Sequence, residues 1–235
     1  MIEKDRQQEK ATRGNVLEDA HAGEMQPSGA QGEENQRQSR KQGRAHEKDV
    51  YLQADMKKGG LSIRGMIYSS VFGAVTAAGA FIMIPLPPVP ITLQTMFVYL
   101  AGALLGARLG LLSQVVYLLT GIMGLPVFAG GKAGLGVLFG PTGGYLTGFV
   151  VGAYLIGKSV EMRRNPGFLW IFVSILVGTV VIYLFGVAQL SLVARLSLEK
   201  AVTVGVLPFL MGDLLKMVVA TLIAVKIRDR VRIDG

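Results

Sequence analysis

The chain has 235 residues, of which 51% are hydrophobic and 17% are charged, and its formal net charge at pH 7 is +8. Its mean hydropathy of +0.45 excludes an ordinary soluble domain of this size and favours a membrane protein. The sequence contains no cysteine, which excludes disulfide bonds and thiolate chemistry.

The first 50 residues carry 9 basic and 10 acidic side chains and almost no apolar pattern. Such a segment cannot bury enough apolar surface to offset the entropy lost on ordering, so we predict a disordered hydrophilic extension over residues 1–60. The basic excess therefore belongs to the apolar part of the chain. There it more often sets membrane topology than binds nucleic acid, and we predict no nucleic-acid partner.

Six apolar segments follow, and each is predicted to cross the lipid bilayer. A spanning helix needs about 20 apolar residues, and fewer when it packs inside a bundle. The predicted spans are residues 65–84, 92–107, 109–124, 142–161, 167–190 and 206–225. The second and third spans are short and are separated only by a turn near Gly106, so a fused helical hairpin is an alternative.

These spans predict an all-α membrane protein with a six-helix domain over residues 61–228 and a short basic tail at 229–235. With both termini in the cytoplasm, eleven basic residues flank the spans on the inside and three lie in the outside loops, as the positive-inside rule requires. This layout places three connections on the outer face, at residues 85–91, 124–141 and 191–205.

The first span contains small residues spaced four apart, Gly73 with Ala77 and Ala74 with Ala78. Such spacing lets two membrane helices approach closely. Packing within the chain explains it as well as contact with a partner subunit does.

Residues 84–95 read Ile-Pro-Leu-Pro-Pro-Val-Pro-Ile-Thr-Leu-Gln-Thr. Proline cannot donate a backbone hydrogen bond, so this run ends any helix, and a helix break at membrane depth must be buried in protein or line a cavity. We predict that Pro85 to Pro90 form a stiff lid over a ligand site, with Gln94 and Thr95 beneath it. A rigid inter-helix turn and solvation of a helix N-terminus are the competing interpretations.

Residues 124–145, which cover the connection between the third and fourth predicted spans and the start of the fourth, contain eight glycines. It lacks the Gly-Lys-Ser/Thr ending of a phosphate loop, so no nucleotide site is predicted. Its length and glycine density favour a binding loop over a tightly folded external turn.

The last span carries Asp213 and Lys216 inside an otherwise apolar run. Ionisable groups at this depth are costly when unpaired and usually face the bundle interior. Residues three apart share one helical face, so the two can form a structural ion pair or anchor a polar ligand, and both roles can coexist.

No catalytic or metal-binding set is apparent in the apolar part, because both histidines, His21 and His46, lie in the N-terminal extension. The sequence therefore argues against a membrane enzyme or a metal site.

Four segments taken in order resemble the BioY family, the biotin-binding substrate subunits of energy-coupling-factor (ECF) vitamin transporters. They are the proline segment at 84–95, Gly-Leu-Pro-Val-Phe-Ala-Gly-Gly at 124–131, Gly-Pro-Thr-Gly-Gly-Tyr-Leu at 140–146 and Gly-Asp-Leu-Leu-Lys at 212–216. The resemblance covers about residues 65–228. It departs at Ala129-Gly130-Gly131, where some relatives are expected to carry a polar amide.

The resemblance implies a six-helix plasma-membrane protein that binds biotin near its outer face, without a cofactor or nucleotide of its own. It also implies partners, namely a transmembrane coupling subunit and two ATPases. The face of the first helix that holds Ala74 and Ala78 resembles the surface that such subunits present to the coupling protein.

The residues suit the chemistry of biotin, which has a ureido group, an apolar bicycle and a valerate carboxylate. Asp213 can accept from the ureido N–H groups, and Gln94 or the backbone N–H groups of Gly130 and Gly131 can donate to the ureido oxygen. Lys216 can pair with the ligand carboxylate or with Asp213, and the sequence does not choose. The predicted apolar walls are Phe97, Tyr117, Phe128 and Tyr145.

Two other functions are compatible with the same residues. One is a substrate subunit for a different vitamin or small hydrophobic cofactor, and the other is a structural membrane subunit that binds no ligand.

Overall fold

A computed structural model describes residues 62–231, with the side chains of residues 229–231 left out. The predicted disordered extension at 1–60 and the last residues of the predicted tail lie outside the described residues. The described part contains these helices and strands: α1 (Ile63–Gly79), β1 (Met83–Ile84), β2 (Ile91–Thr92), α2 (Gln94–Ile122), α3 (Leu135–Leu138), α4 (Gly143–Glu161), α5 (Phe168–Ala194), α6 (Leu198–Gly205) and α7 (Leu210–Val231).

The fold is mostly helical, with one short two-stranded hairpin among the described residues. The first helix ends at Gly79 rather than at residue 84, and β1 pairs antiparallel with β2 in the register Met83–Thr92 and Ile84–Ile91. The ladder stops there because the prolines that follow β1 and precede β2 have no N–H to donate. Residues 85–90, the proline loop, therefore close a short β-hairpin instead of joining two helices directly.

Helix α2 is a helical hairpin that turns at Gly106. Gly106 has φ 83° and ψ −176°, far from helical values and in a region open to glycine. A Cβ added at Gly110 would lie 3.0 Å from the Cα of Gly102, whereas a continuous helix would separate these residues by about 12 Å along its axis. Residues 94–105 and 107–122 are thus two packed legs, as the hairpin alternative predicted.

By length and composition, two helices of the described part can cross a membrane, α2 with a mean hydropathy of 1.6 and α5 with 2.6. A third is added when α6 and α7, which meet at 55°, are counted as one broken span. Since α2 folds back at Gly106, its 29 residues make two short legs rather than one long rod. The six predicted spans stay a prediction.

Close helix contacts at small residues position the bundle. In α4, glycines recur at every fourth residue from Gly144 to Gly152, and a Cβ at any of them would meet atoms of Phe185 or Ile182 in α5. Interfaces of this kind let helix backbones approach closely without a large side chain between them. They hold α4 and α5 together beside the two legs of α2.

Helix α6 lies in the predicted loop 191–205, and α7 covers most of the predicted last span, 206–225. Ser197 caps α6, with its side chain accepting from the N–H of Lys200 at 3.4 Å. The predicted outer loop 191–205 therefore holds a helix. Because α7 begins only at Leu210, Asp213 lies in its first turn.

Candidate functional site

A pocket opens at the end of the bundle where the proline loop lies. Small-ligand sites usually combine apolar walls with a few placed polar groups. The pocket is bounded by the proline loop, the segment at 128–132 and helices α2, α4, α5 and α7. Six sequence-predicted site residues line it: Gln94, Thr95, Phe128, Tyr145, Asp213 and Lys216.

Asp213 and Lys216 form an ion pair at the base of this pocket. The Lys216 Nζ lies 2.8 Å from Asp213 Oδ1, and the side chains of Lys216 and Asp213 are only 12% and 4% exposed, respectively. Charges this well buried must be both paired and hydrogen-bonded to be tolerated. The structure therefore meets the pairing requirement within one turn of α7.

Every donor of the Lys216 ammonium is occupied. Besides Asp213, the ammonium donates to the backbone carbonyl of Thr92 at 2.6 Å and to Thr95 Oγ1 at 3.2 Å. An ammonium has three N–H groups and no acceptor. Of the two roles that the sequence left open, the structure therefore shows the pairing of Lys216 with Asp213.

The Asp213 carboxylate retains one acceptor position. Its Oδ1 accepts from Lys216 and from the Thr95 hydroxyl at 3.2 Å, and its Oδ2 accepts from the Tyr183 hydroxyl. A carboxylate offers about four lone-pair positions. The fourth lies on Oδ2, in a residue that lines the pocket.

Tyr183 and Thr92 are site residues that the sequence reasoning missed. Tyr183 comes from the most apolar helix, α5, where a phenol at membrane depth is itself a signal of a polar partner. Thr92 acts through its backbone carbonyl, and no residue-type pattern could indicate that contact. Lys132 also lines the pocket, whereas the sequence indicated only a basic residue in the predicted outer connection 124–141.

Gln94 lies beside this cluster and is 3% exposed. Its Oε1 accepts from the Thr92 hydroxyl at 3.2 Å, and its Nε2 donates to the Tyr117 hydroxyl. The side-chain amide has two N–H groups, so one remains for another acceptor. The deep end of the pocket thus combines a carboxylate acceptor with an amide donor.

The apolar walls come from only part of the predicted set of aromatic residues. Phe128 is 1% exposed and lines the pocket, and its ring lies edge-on to Tyr117 with 5.7 Å between centroids. Tyr145 also lines it, with its hydroxyl donating to the carbonyl of Gly205 at 2.8 Å. Tyr117 lies behind Gln94, and Phe97 packs beside Gly79, so neither borders the pocket.

Gly130 and Gly131 lie in a turn at the edge of the pocket. Both have positive φ, 77° and 70°, which the turn requires. The N–H of Gly131 donates to the carbonyl of Phe128 at 3.0 Å, so this predicted ligand donor is already occupied. The same turn contains the bridge between Phe128 and Lys132.

Within residues 62–231, no group of three or more His, Asp or Glu side chains is placed to hold a metal ion. The polar residues of the pocket present hydrogen-bond donors and acceptors of the kind that a small organic ligand can use.

A helical bundle whose pocket is polar at its base and apolar at its walls suits the binding of a small substrate by a membrane protein. The fold is similar to a crystal structure described as the S-component for biotin from an ECF-type ABC transporter. The TM-score is 0.66 at 29% sequence identity, over 71% of this chain and 92% of that one.

The chain belongs to the BioY family, whose model matches residues 52–233. It is 45% identical to the biotin transporter BioY of Thermotoga maritima, over 71% of this chain and 96% of that protein. It is 38% identical to the probable biotin transporter BioY of Pyrococcus horikoshii, over 68% and 93%. The resemblance seen in the sequence is confirmed, and the chain is a component of a membrane transporter.

Proposed function

We infer that this chain serves biotin uptake as the substrate-binding subunit of an ECF transporter. Its BioY relatives are named for biotin transport, and the similar solved structure is a biotin S-component. The observation that carries the inference is the chemistry left open at the deep end of the pocket, one acceptor position on Asp213 and one N–H of Gln94.

These two groups complement a ureido group, which offers N–H donors beside a carbonyl acceptor. The fused bicycle of biotin then lies against Phe128 and Tyr145, which line the walls. Both rings are fixed before ligand arrives, Phe128 by burial and Tyr145 by its bond to Gly205, which reduces the ordering cost of binding.

The proposal includes six spans with both termini in the cytoplasm of a plasma-membrane protein. Because α2 is a hairpin, its two legs supply two of the six crossings. Arg163, Arg164 and Arg228 line a depression around Gly106, at the end of the bundle away from the binding pocket. The concentration of basic residues at that end of the bundle agrees with its placement on the cytoplasmic side of the membrane.

The proposal also includes a transmembrane coupling subunit and two ATPases as partners. Ala74 and Ala78 are exposed on α1, whereas Gly73 and Thr76 are buried, with Gly73 against the second leg of α2. An exposed small-residue face suits close contact with a second membrane protein. In this arrangement the chain itself neither binds nucleotide nor catalyses a reaction.

Isothermal titration of the purified full chain with biotin tests the function. We expect saturable binding, and Asp213→Asn should weaken it at least tenfold, since a hydrogen bond to a charged group contributes about 1.5–3 kcal/mol. Glu199→Gln is the matched control, because Glu199 is exposed on α6 and does not line the pocket.

Binding of thiamine or riboflavin without binding of biotin would assign the pocket to another vitamin. Failure of the folded chain to bind any of them would point to a structural subunit.

A further inference from the structure

The pocket must also accommodate the acidic end of the proposed ligand. Biotin carries a valerate carboxylate, and a buried carboxylate needs a cation or several hydrogen-bond donors. The nearest basic group, Lys216, already donates to Asp213, Thr92 and Thr95. Pairing it with the ligand would break one of these bonds and weaken the compensation of a buried Asp213.

Electrostatics also keep the ligand carboxylate away from the deep end. Asp213 is 3% exposed, and its charge is balanced by a single ammonium. A second anion there would have to be desolvated beside the first, with no further cation among the described residues at the base. The ureido group therefore faces Asp213, and the valerate chain runs towards the pocket mouth.

Lys132 lies at that mouth. Among the described residues that line the pocket, Lys132 and Lys216 are the two basic ones, and the side chain of Lys132 is exposed. Among the described residues, no salt bridge joins Lys132 to an acidic group. Its backbone is held in place, because its carbonyl accepts the N–H of the buried Phe128 at 3.0 Å.

We propose that Lys132 recognises the carboxylate of the ligand and makes this subunit selective for the acid over its neutral derivatives. The proposal rests on the inferred biotin function. It assigns different tasks to the two pocket lysines: Lys216 pairs with Asp213, and Lys132 binds the carboxylate at the far end of the substrate.

The test compares biotin with biotinamide, in which a neutral amide replaces the carboxylate, by isothermal titration of the full chain at low salt and at high salt. We expect wild type to favour biotin by about twofold to fivefold at low salt, the range for an exposed ion pair. Lys132→Gln should remove this preference by weakening biotin alone, and Lys132→Arg should retain it. High salt should narrow the preference in wild type.

Lys200→Gln is the control for net charge, because Lys200 is exposed on α6 and does not line the pocket. Equal weakening of both ligands in Lys132→Gln would mean that the residue only supports its turn, and the proposal would fail. An unchanged preference would also overturn it, while biotin binding by wild type would leave the proposed function standing. Absence of binding in wild type would instead refute the function itself.

Discussion

The ion pair at the base of the pocket provides the sharpest test of the fold. Lys216→Met keeps a long unbranched side chain but removes the ammonium, so three hydrogen bonds disappear and Asp213 remains buried and charged. Asp213→Asn instead removes the counter-ion of the Lys216 ammonium, whose side chain is only 12% exposed. The double variant removes both charges at once.

Removing one partner of a buried pair costs about 3–5 kcal/mol, because the remaining charge is uncompensated. We therefore expect each single variant to lower the free energy of unfolding by about that amount. Residues in direct contact are coupled by about 0.5–3 kcal/mol, so the double variant should lose less than the sum of the two single losses by about 2 kcal/mol. The bonds from the Lys216 ammonium to Thr92 and Thr95, which the double variant also lacks, make up the remaining cost.

Unfolding can be followed by titrating SDS into detergent micelles of the ligand-free chain and recording fluorescence of Trp170, the single tryptophan. Lys158→Met is the matched control, since Lys158 is exposed on α4 and its loss should change the free energy of unfolding by less than about 0.5 kcal/mol. Losses in the two single variants that add to that of the double variant within about 0.5 kcal/mol would refute the pairing.

Three further outcomes are expected. Gly106→Ala should lower the free energy of unfolding by at least about 1–3 kcal/mol, because a φ of 83° is strained for alanine and the added Cβ would collide with a neighbouring carboxylate. Gly136→Ala is the control: its Cβ would lie in open space, so the same SDS titration should show little change. Tyr183→Phe should weaken biotin binding about tenfold in isothermal titration with little change in secondary structure, and unchanged affinity would exclude a role for its hydroxyl. Ala74→Leu should leave biotin affinity unchanged but reduce co-purification with a co-expressed coupling subunit and ATPases. Ala188→Leu, on the exposed face of α5, is the control, and an equal reduction of co-purification in that variant would argue against a specific contact at Ala74.

The helical elements were predictable where apolar length alone decides the outcome. The fourth and fifth predicted spans, 142–161 and 167–190, begin within one residue of α4 and α5. The first predicted span was too long because Ala80 to Ile84 are as apolar as the helix before them, yet β1 pairs with a strand beyond the prolines. Apolar composition does not distinguish a helix end from a short strand.

The polar core of the site was predictable because an Asp and a Lys three residues apart in an apolar membrane helix must face the bundle interior and find polar partners there. The contribution of Thr92 was not predictable, since it comes from a backbone carbonyl that strand pairing positions. Tyr183 and Lys132 approach the pocket from segments far apart in sequence. Only the tertiary fold brings them to the same cavity.

The bond from Lys216 to the carbonyl of Thr92 connects the base of the pocket to the hairpin that closes the proline loop. Displacing β2 outward would therefore break a charge-assisted bond as well as ladder bonds. The same bond would keep Thr92 in place while ligand exchanges, and would thereby confine motion to the residues between the two strands. Loss of the Lys216 ammonium should therefore free β2 to move with the proline loop and shorten the residence time of the ligand.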